Sequence, residues 1–292
     1  MGTIIDGLDV TRGNWRSRRS ALQLAVKAAK GCLVHADTEP SDIDLLINAG
    51  IYRDRNLGEP ALAAIIQEDI GANPEDPHSD AHGTFSFDIA NGACGVLTAL
   101  QIADGFLRSQ TISRALVVAS DADPGRGASE RFPFAPAGAA LLCKWSDQDD
   151  GLGPVHWANH PDDGDNFRAA IDFDRSRNVL RFHNSAAMPI ELAVAAAEAV
   201  RGCCEEAGLN LSDIPIVIAA PPDRHYRVEL AAKLGFPVER IVVAADERIH
   251  TASLVAALKR EIEAIPPGTP VMLVAAGAGI VAGAAVYRVP AH

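Results

Sequence analysis

Two stretches of the chain repeat one pattern and decide the fold. Ala21–Gly50 reads ALQLAVKAAKGCLVHADTEPSDIDLLINAG, and Leu192–Pro221 reads LAVAAAEAVRGCCEEAGLNLSDIPIVIAAP, at a constant offset of 171 residues. Each stretch predicts an apolar helix with a Gly-Cys pair, a Ser-Asp-Ile turn and a buried strand. We therefore expect two copies of one unit, with Cys32 and Cys203 at equivalent positions of the repeated helix.

Two shorter repeats follow in the same order. An offset of 158 places Gly92-Ala93-Cys94 on His250-Thr251-Ala252, each at the predicted start of a helix. An offset of 145 places residues 137–140 on residues 282–285, because both segments read AGAA. Short apolar strands alternate with helices along the chain, which is typical of an α/β protein.

The repeats predict two βαβαβ-type halves packed as a pseudo-twofold pair. We assign residues 1–145 to the N-terminal half, 146–175 to a connecting region rich in Asp, Gly, Pro and Asn, and 176–292 to the C-terminal half. Equivalent loops of two such halves face each other, and their junction is a natural place for a ligand pocket. The turn at residues 92–94 and the turn at residues 250–252 are predicted to meet there.

The composition narrows the class of protein. The chain has 292 residues, 48% of them hydrophobic, and a formal net charge of −12, which disfavours general nucleic-acid binding because that binding rests on neutralising phosphates. No apolar run approaches the ~18 residues of a membrane helix, and the first residues, MGTIIDG, lack the pattern of a secretory signal. Five scattered cysteines without a Cys-x-x-Cys pair predict reduced thiols, a cytoplasmic location and no metal site.

Three further segments resemble a known family. Phe85–Ala90 (FSFDIA) precedes a cysteine at a helix start, Ala115–Asp121 reads ALVVASD, and Gly277–Gly283 reads GAGIVAG. With the duplication, they resemble the thiolase fold and, within it, the β-ketoacyl-acyl carrier protein synthase III branch. The resemblance implies a layered α/β/α/β/α arrangement, dimers, a Cys-His-Asn catalytic set and a role in fatty acid or polyketide biosynthesis. It also implies thioesters of coenzyme A or acyl carrier protein as substrates, without a tightly bound cofactor.

The chain departs from that family at its catalytic positions. Counted from Asp88 without gaps, the family's nucleophile position falls on Ala93, and Cys94 comes one residue later. The family's histidine position holds Ala220, and its asparagine position holds His250. The resemblance therefore leaves open which of these side chains faces a substrate.

Cys94 and His250 are the candidate catalytic residues. Unpaired N–H groups and the dipole at a helix N-terminus lower the pKa of a thiol, so Cys94 is predicted to attack a thioester as a thiolate. The alternative is a small buried side chain, which is the commoner fate of a free cysteine. The repeat places His250 opposite this turn as a base. The alternative there is a histidine that bonds backbone groups at a helix start.

Other residues complete the predicted site. Backbone N–H groups of the hairpin at Gly277, Ala278 and Gly279 are expected to hold the oxyanion formed during thioester attack. His225, which lies five residues past Ala220, is a weaker candidate for the base.

One basic cluster interrupts the acidic background near the N-terminus. Guanidinium groups beside an indole ring bind phosphates and stack on adenine, so the cluster is predicted to receive coenzyme A or an acidic carrier protein. The Trp15 to Arg19 spacing is also similar to that of the residues where family members admit coenzyme A. The alternative is a solvated loop whose arginines pair with nearby acids. The cluster consists of Arg12, Trp15, Arg16, Arg18 and Arg19.

Together these features predict an acyltransferase, a synthase III-like condensing enzyme that acts through Cys94 with help from His250. The alternative is a catalytically silent synthase-like subunit that supports an active partner, since Ala93 and Ala220 occupy two catalytic positions. The strand Thr84–Ile89 is expected to pair across a dimer axis, because an unpaired edge of this sequence would invite aggregation. We expect a homodimer, with a heterodimer with a related synthase as the open alternative.

Overall fold

The computed structural model describes residues 1–13, 20–53, 61–73, 83–125, 127–174 and 177–291. Within these ranges the chain forms twelve β-strands and six α-helices. The strands are β1 Gly2–Arg12, β2 Leu45–Asn48, β3 Phe85–Asp88, β4 Arg114–Asp121, β5 Ala137–Ser146, β6 Gly151–Asn159, β7 Phe167–Asp174, β8 Arg177–Asn184, β9 Ile216–Ala220, β10 Ile241–Val242, β11 Pro270–Gly277 and β12 Val281–Arg288. The helices are α1 Ala21–His35, α2 Leu62–Ile70, α3 Gly95–Arg108, α4 Met188–Ala207, α5 Arg224–Leu234 and α6 Ser253–Glu261.

Ten of these strands form one sheet whose order is symmetric about its centre. The order is β10-β9-β11-β12-β6-β1-β5-β4-β2-β3, so β6 is equivalent to β1, β9 to β2 and β11 to β4. In the described residues, one backbone bridge between Thr3 and Leu152 joins β1 to β6 at the seam. The strands β7 and β8 form a separate hairpin. This strand order confirms the predicted duplication.

The helices divide the molecule into layers. The outer helices α1 and α2 pack on one half of the sheet, and α4 and α5 pack on the other half. The helices α3 and α6 lie between the two halves, where Leu100 and Leu258 share one buried apolar cluster with strand residues of both. The predicted α/β/α/β/α arrangement of a thiolase fold is therefore confirmed.

The repeated cysteines lie at matching places in the two outer layers. Cys32 on α1 and Cys203 on α4 are both buried. A backbone hydrogen bond joins the Cys32 thiol to Leu142 of β5, and another joins the Cys203 thiol to Val286 of β12. Because both bonds link equivalent helices to equivalent strands, Leu142 and Val286 correspond to each other, at an offset of 144 residues.

The predicted offset of 145 for the last repeat is therefore wrong by one residue. Ala139 faces the central layer, whereas Ala284, which that offset would match to it, faces the outer helix α4. At an offset of 144, Ala140 and Ala284 both face an outer helix. A slip of one residue turns every side chain of a strand to the opposite face, so burial identifies the correct register.

The predicted connecting region, residues 146–175, contains part of the sheet. The strand β6 pairs with β12 and β1, so the C-terminal half begins at Gly151 rather than at residue 176. The strand was missed because Gly153 and Pro154 interrupt its pattern. They lie where the β6–β12 pairing shifts register, a position that tolerates a residue without an N–H donor. Among the described residues, no helix has both the length and the apolar character needed to cross a membrane.

Candidate active site

A cavity of about 410 Å³ lies where the two halves meet. Its wall includes the turn before α3, the turn before α6 and the end of β11, as the pseudo-twofold arrangement predicts. Tyr52, Phe134, Phe167 and Met188 give the cavity an apolar lining. Its described polar lining includes Tyr226 and His250.

The His250 side chain is held in place by a carboxylate. Its Nδ1 atom lies 3.3 Å from Oδ2 of Asp121, the last residue of β4. An ionised carboxylate only accepts hydrogen bonds, so the proton of this contact belongs to Nδ1, and in the neutral form of the imidazole the lone pair is on Nε2. The pair therefore forms an Asp-His dyad whose Nε2 atom is free to take a proton.

Asp121 is a buried charge whose oxygens are fully engaged. Oδ2 accepts hydrogen bonds from the backbone N–H and the hydroxyl of Thr251, at 2.9 and 2.6 Å. Oδ1 accepts from the backbone N–H groups of Ile51 and Tyr52, at 3.3 and 2.9 Å. Although burial by itself raises the pKa of this carboxyl, the electrostatic interaction with His250 and these hydrogen bonds hold the pKa below its usual value. Asp121 is therefore ionised at neutral pH.

Aromatic rings fix the plane of the imidazole. The ring of Phe134 stacks on His250 with centroids 4.2 Å apart, and the ring of Tyr52 lies at 5.5 Å. On the opposite turn, a Cβ atom at Gly92 would lie 3.6 Å from Nε2 of His250. The imidazole edge therefore reaches across the junction to the turn that precedes α3.

Cys94 does not face the cavity, and the prediction of a thiolate nucleophile there is corrected. The side chain is fully buried, its Sγ donates to the backbone carbonyl of Val281 at 3.6 Å, and burial raises the pKa of the thiol to about 12. Ala93 lines the cavity instead. Gly92–Cys94 forms one 3-10 turn, and neighbouring residues of a helical turn point roughly 100° apart, so only one of them can face the cavity.

The hairpin residues are only partly in the predicted place. Gly277 and Ala278 line the cavity, whereas Gly279 is not among its lining residues. A Cβ atom at Gly277 would lie 3.3 Å from Sγ of Cys94, so this glycine allows the hairpin to cover the thiol closely. The role of this backbone in holding an oxyanion stays a prediction.

Two other candidates lie away from the cavity. His225 is exposed in the first turn of α5 and is not a lining residue, so the prediction of a substitute base is not supported by its position. Arg12 is exposed at the end of β1 and borders a separate small depression with Lys259 and Arg260. The other members of the basic cluster, Trp15, Arg16, Arg18 and Arg19, lie outside the described residues.

Sequence reasoning missed two residues of the site, Asp121 and Tyr226. Asp121 ends the strand ALVVASD, and an acid at the carboxyl end of a buried strand is a signal that could have been read. Tyr226 carried a weaker signal, since it follows Asp223, which caps α5 by accepting from the Tyr226 backbone N–H at 2.7 Å. That cap places the Tyr226 side chain on the first turn of the helix.

Comparisons with known proteins agree with this fold and with the segments quoted from the sequence. Residues 204–289 match the family described as 3-oxoacyl-[acyl-carrier-protein] synthase III, C terminal. The β-ketoacyl-[acyl-carrier-protein] synthase III of Streptomyces lividans is 30% identical over 304 aligned positions, covering 92% of this chain and 82% of the relative. The enzyme of the same name from Rhizorhabdus wittichii is 27% identical, covering 91% and 83%.

Solved structures give the same result for the fold. The synthase III of Aquifex aeolicus superposes with a TM-score of 0.81 at 21% identity, covering 98% of this chain and all of that one. The priming β-ketosynthase of the R1128 polyketide biosynthetic pathway gives a TM-score of 0.81 at 20% identity, covering 99% and 96%. By its sequence identity over nearly its whole length, this chain belongs to the β-ketoacyl-acyl carrier protein synthase III family.

Proposed function

We propose that the protein transfers the acyl group of a coenzyme A or acyl carrier protein thioester to an acceptor, with His250 as general base and without an acyl-cysteine. One observation carries the proposal: the imidazole at the cavity is oriented by a buried carboxylate, while Ala93 occupies the place of the nucleophile. The condensing chemistry of the relatives supports the substrate class. No tightly bound cofactor is required, because proton transfer by the dyad suffices.

The proposed reaction has two steps. First, Nε2 of His250 takes a proton from the acceptor while the acceptor attacks the thioester carbonyl carbon, which turns the carbonyl oxygen into an oxyanion. The backbone at Gly277 and Ala278 is our candidate for holding that oxyanion. Then the carbon–sulfur bond breaks and the leaving thiolate takes the proton back from His250. Asp121 stabilises the imidazolium that exists between the two steps.

Thiol release tests this mechanism. With hexanoyl-coenzyme A as the thioester and hydroxylamine as the acceptor, we expect the His250→Ala variant to release coenzyme A about 100-fold more slowly than the wild type. The matched control is Cys94→Ala, which should stay within about threefold of the wild type because the buried thiol takes no part. Intact-protein mass should show no hexanoyl adduct. An adduct that disappears in Cys94→Ala would refute the mechanism.

A second candidate, a catalytically silent subunit, is favoured by a different observation. Both Ala93 and Ala220 hold only a methyl group where the family's nucleophile and histidine are expected. A silent subunit would release no thiol alone, and the Asp121–His250 pair would then serve only to stabilise the junction of the halves. The discriminating measurement is thiol release by the wild type alone and after mixing with an active synthase III.

We also propose that the protein is a cytoplasmic homodimer. The strand β3 lies at one end of the sheet, and the Phe85 side chain is 60% exposed there. Pairing of β3 with a second copy would cover this ring and the unpaired strand edge. Sedimentation velocity at micromolar concentration should show a dimer that Phe85→Glu dissociates. The matched control is Phe173→Glu on the β7–β8 hairpin, whose ring is also exposed but belongs to the separate two-stranded sheet.

A heterodimer with a related synthase would give a monomer in that experiment and a dimer only after mixing with that synthase.

We propose further that coenzyme A or the carrier protein binds at the basic cluster around Arg12. The test is to measure thiol release at increasing ionic strength. If pairing of arginine with phosphate drives binding, the rate of release at a fixed, low thioester concentration should fall as salt is added.

A further inference from the structure

Tyr226 is one of the polar residues of the cavity lining that the dyad mechanism does not use. Tyr226 is completely buried, and its hydroxyl has no hydrogen-bond partner among the described residues. Native proteins pair buried hydroxyl groups almost always, because leaving one unpaired costs the free energy of its lost hydration. Tyr226 lines the cavity, so a molecule in the cavity is the available partner.

The Tyr226 side chain is held in place by its surroundings. Asp223 caps the helix by accepting from the Tyr226 backbone N–H at 2.7 Å, which anchors the residue in the first turn of α5. The ring packs in the apolar cluster that contains Leu230 and Ala219. A ring fixed at both its backbone and its faces cannot swing out to meet water, so the side chain keeps its place beside the cavity.

The chemistry of this hydroxyl is that of a neutral donor. Burial, and to a lesser degree the neighbouring Cys94 thiol, raise the pKa of Tyr226 far above its usual value. The phenol therefore keeps its proton at every pH at which the protein works, and it can donate one hydrogen bond. Ala93, which also lines the cavity, carries only a methyl group and so leaves space there for an acceptor atom of a ligand.

We infer that the Tyr226 hydroxyl donates a hydrogen bond to the carbonyl oxygen of the acyl thioester bound in the cavity. This inference rests on the proposed function only in that the cavity takes an acyl thioester. It divides the site into two sides, with His250 facing the acceptor and Tyr226 facing the carbonyl oxygen. As negative charge grows on that oxygen during attack, the donated bond strengthens, so Tyr226 contributes to the rate as well as to binding.

A pair of ligands that differ in one oxygen tests the inference. Hexanoyl-coenzyme A has the carbonyl, and S-hexyl-coenzyme A, its thioether, lacks it. In calorimetric titrations we expect Tyr226→Phe to weaken binding of the thioester about tenfold and to leave binding of the thioether unchanged. Thiol release by the variant should fall about 100-fold, which is the usual cost of removing one oxyanion donor.

The matched control is Tyr287→Phe. Tyr287 is also buried, but its hydroxyl accepts from the backbone N–H of Ile5 at 3.0 Å and it does not line the cavity. We expect this variant to bind both ligands as the wild type does. Equal changes for thioester and thioether in Tyr226→Phe, no change for either, or no binding of hexanoyl-coenzyme A by the wild type would each overturn the inference. A wild type that binds the thioester through Tyr226 yet releases no thiol would overturn only the proposed transfer reaction.

Discussion

The turn before α3 and the turn before α6 occupy equivalent places in the two halves, yet they differ in every side chain. The first presents Gly92, Ala93 and Cys94, and the second presents His250, Thr251 and Ala252. The first turn brings a methyl group to the cavity and buries a thiol. The second brings an imidazole to the cavity and buries a hydroxyl that bonds to a carboxylate.

The strand ends that face these two turns also differ, because one carries a charged side chain and the other carries none. Asp121 ends β4 and Gly277 ends the equivalent β11. Asp121 bonds to His250 and Thr251 of the turn in the other half. Gly277 covers Cys94 with no side chain at all. One framework therefore has a polar, charged face on one side of the pseudo-twofold axis and a small, uncharged face on the other, and the proposed chemistry depends on the polar side.

The largest effect should come from placing a thiol on the small side. We expect Ala93→Cys, made together with Cys94→Ala, to react with iodoacetamide about 1,000-fold faster at pH 7.5 than the wild-type Cys94 does. The reason is that an ordinary thiol with a pKa of about 8.5 has far more thiolate than one whose pKa is about 12. Alkylation followed by intact-protein mass measures both rates. Equal rates would mean that the two turn positions do not face different surroundings.

The next effect concerns the polar side. We expect Asp121→Asn to lower the free energy of unfolding by about 3 kcal/mol. Both carboxylate oxygens of Asp121 accept from N–H groups, so the NH₂ group of an asparagine would face a donor in either orientation of the amide and would stay unpaired in the buried site. Chemical denaturation measures this loss. Asp123→Asn is the control, since among the described residues the half-buried Asp123 carboxylate accepts from the backbone N–H of Gly125 and the hydroxyl of Ser129. A loss for Asp121→Asn no greater than for the control would contradict the role assigned to this carboxylate.

Acid should cause a smaller and reversible form of the same loss. Because the pKa of Asp121 is lowered in the folded protein, the unfolded chain binds more protons between the folded pKa and the ordinary value of about 3.9. The stabilisation is thus complete above pH 3.9 and is lost as the pH falls through the folded pKa. Unfolding free energies measured against pH should show this fall in the wild type and a shallower one in Asp121→Asn.

The smallest effect should come from the backbone of the first turn. Gly92 has φ of 49°, a left-handed conformation that costs other residues about 1 kcal/mol. A methyl group would meet His250 at an ordinary distance of 3.6 Å, so we expect Gly92→Ala to lose only that amount of stability. Gly105→Ala, in open space within α3, should instead gain about 0.5–1 kcal/mol from its higher helix propensity. Chemical denaturation measures both changes, and a Gly92→Ala variant as stable as the wild type would contradict the left-handed conformation of this residue.

The duplication could be predicted because the two outer helices α1 and α4 pack in the same way and therefore need the same pattern of small residues. The face of α1 that packs on β5 needs small residues at helical spacing, and α4 meets the same demand against β12, so the pattern around Cys32 returns at Cys203. The strand repeat was less reliable. Runs of alanine and glycine match each other in more than one register, and the segments at residues 137–140 and 282–285 matched one residue out.

The candidate site could be predicted only in part. The repeat correctly brought His250 opposite the Gly92 turn, because equivalent turns meet at the junction. Periodicity could not decide between Ala93 and Cys94, since both are small and a one-residue shift leaves the helix pattern intact. Asp121 acts on His250 across 129 positions of sequence, and no local pattern signals such a contact.

The seam between β1 and β6 has a consequence for the folding of each half. Within the part of the chain that the structure describes, one backbone bridge joins the two halves of the sheet there, so cohesion between the halves rests on the apolar layer formed by α3 and α6. A free half would present its inner helix and the inner face of its sheet to water, and burial of apolar area is what makes such a layer stable. Each half is therefore expected to unfold or aggregate when it is produced without the other, although each has its own strands and outer helices.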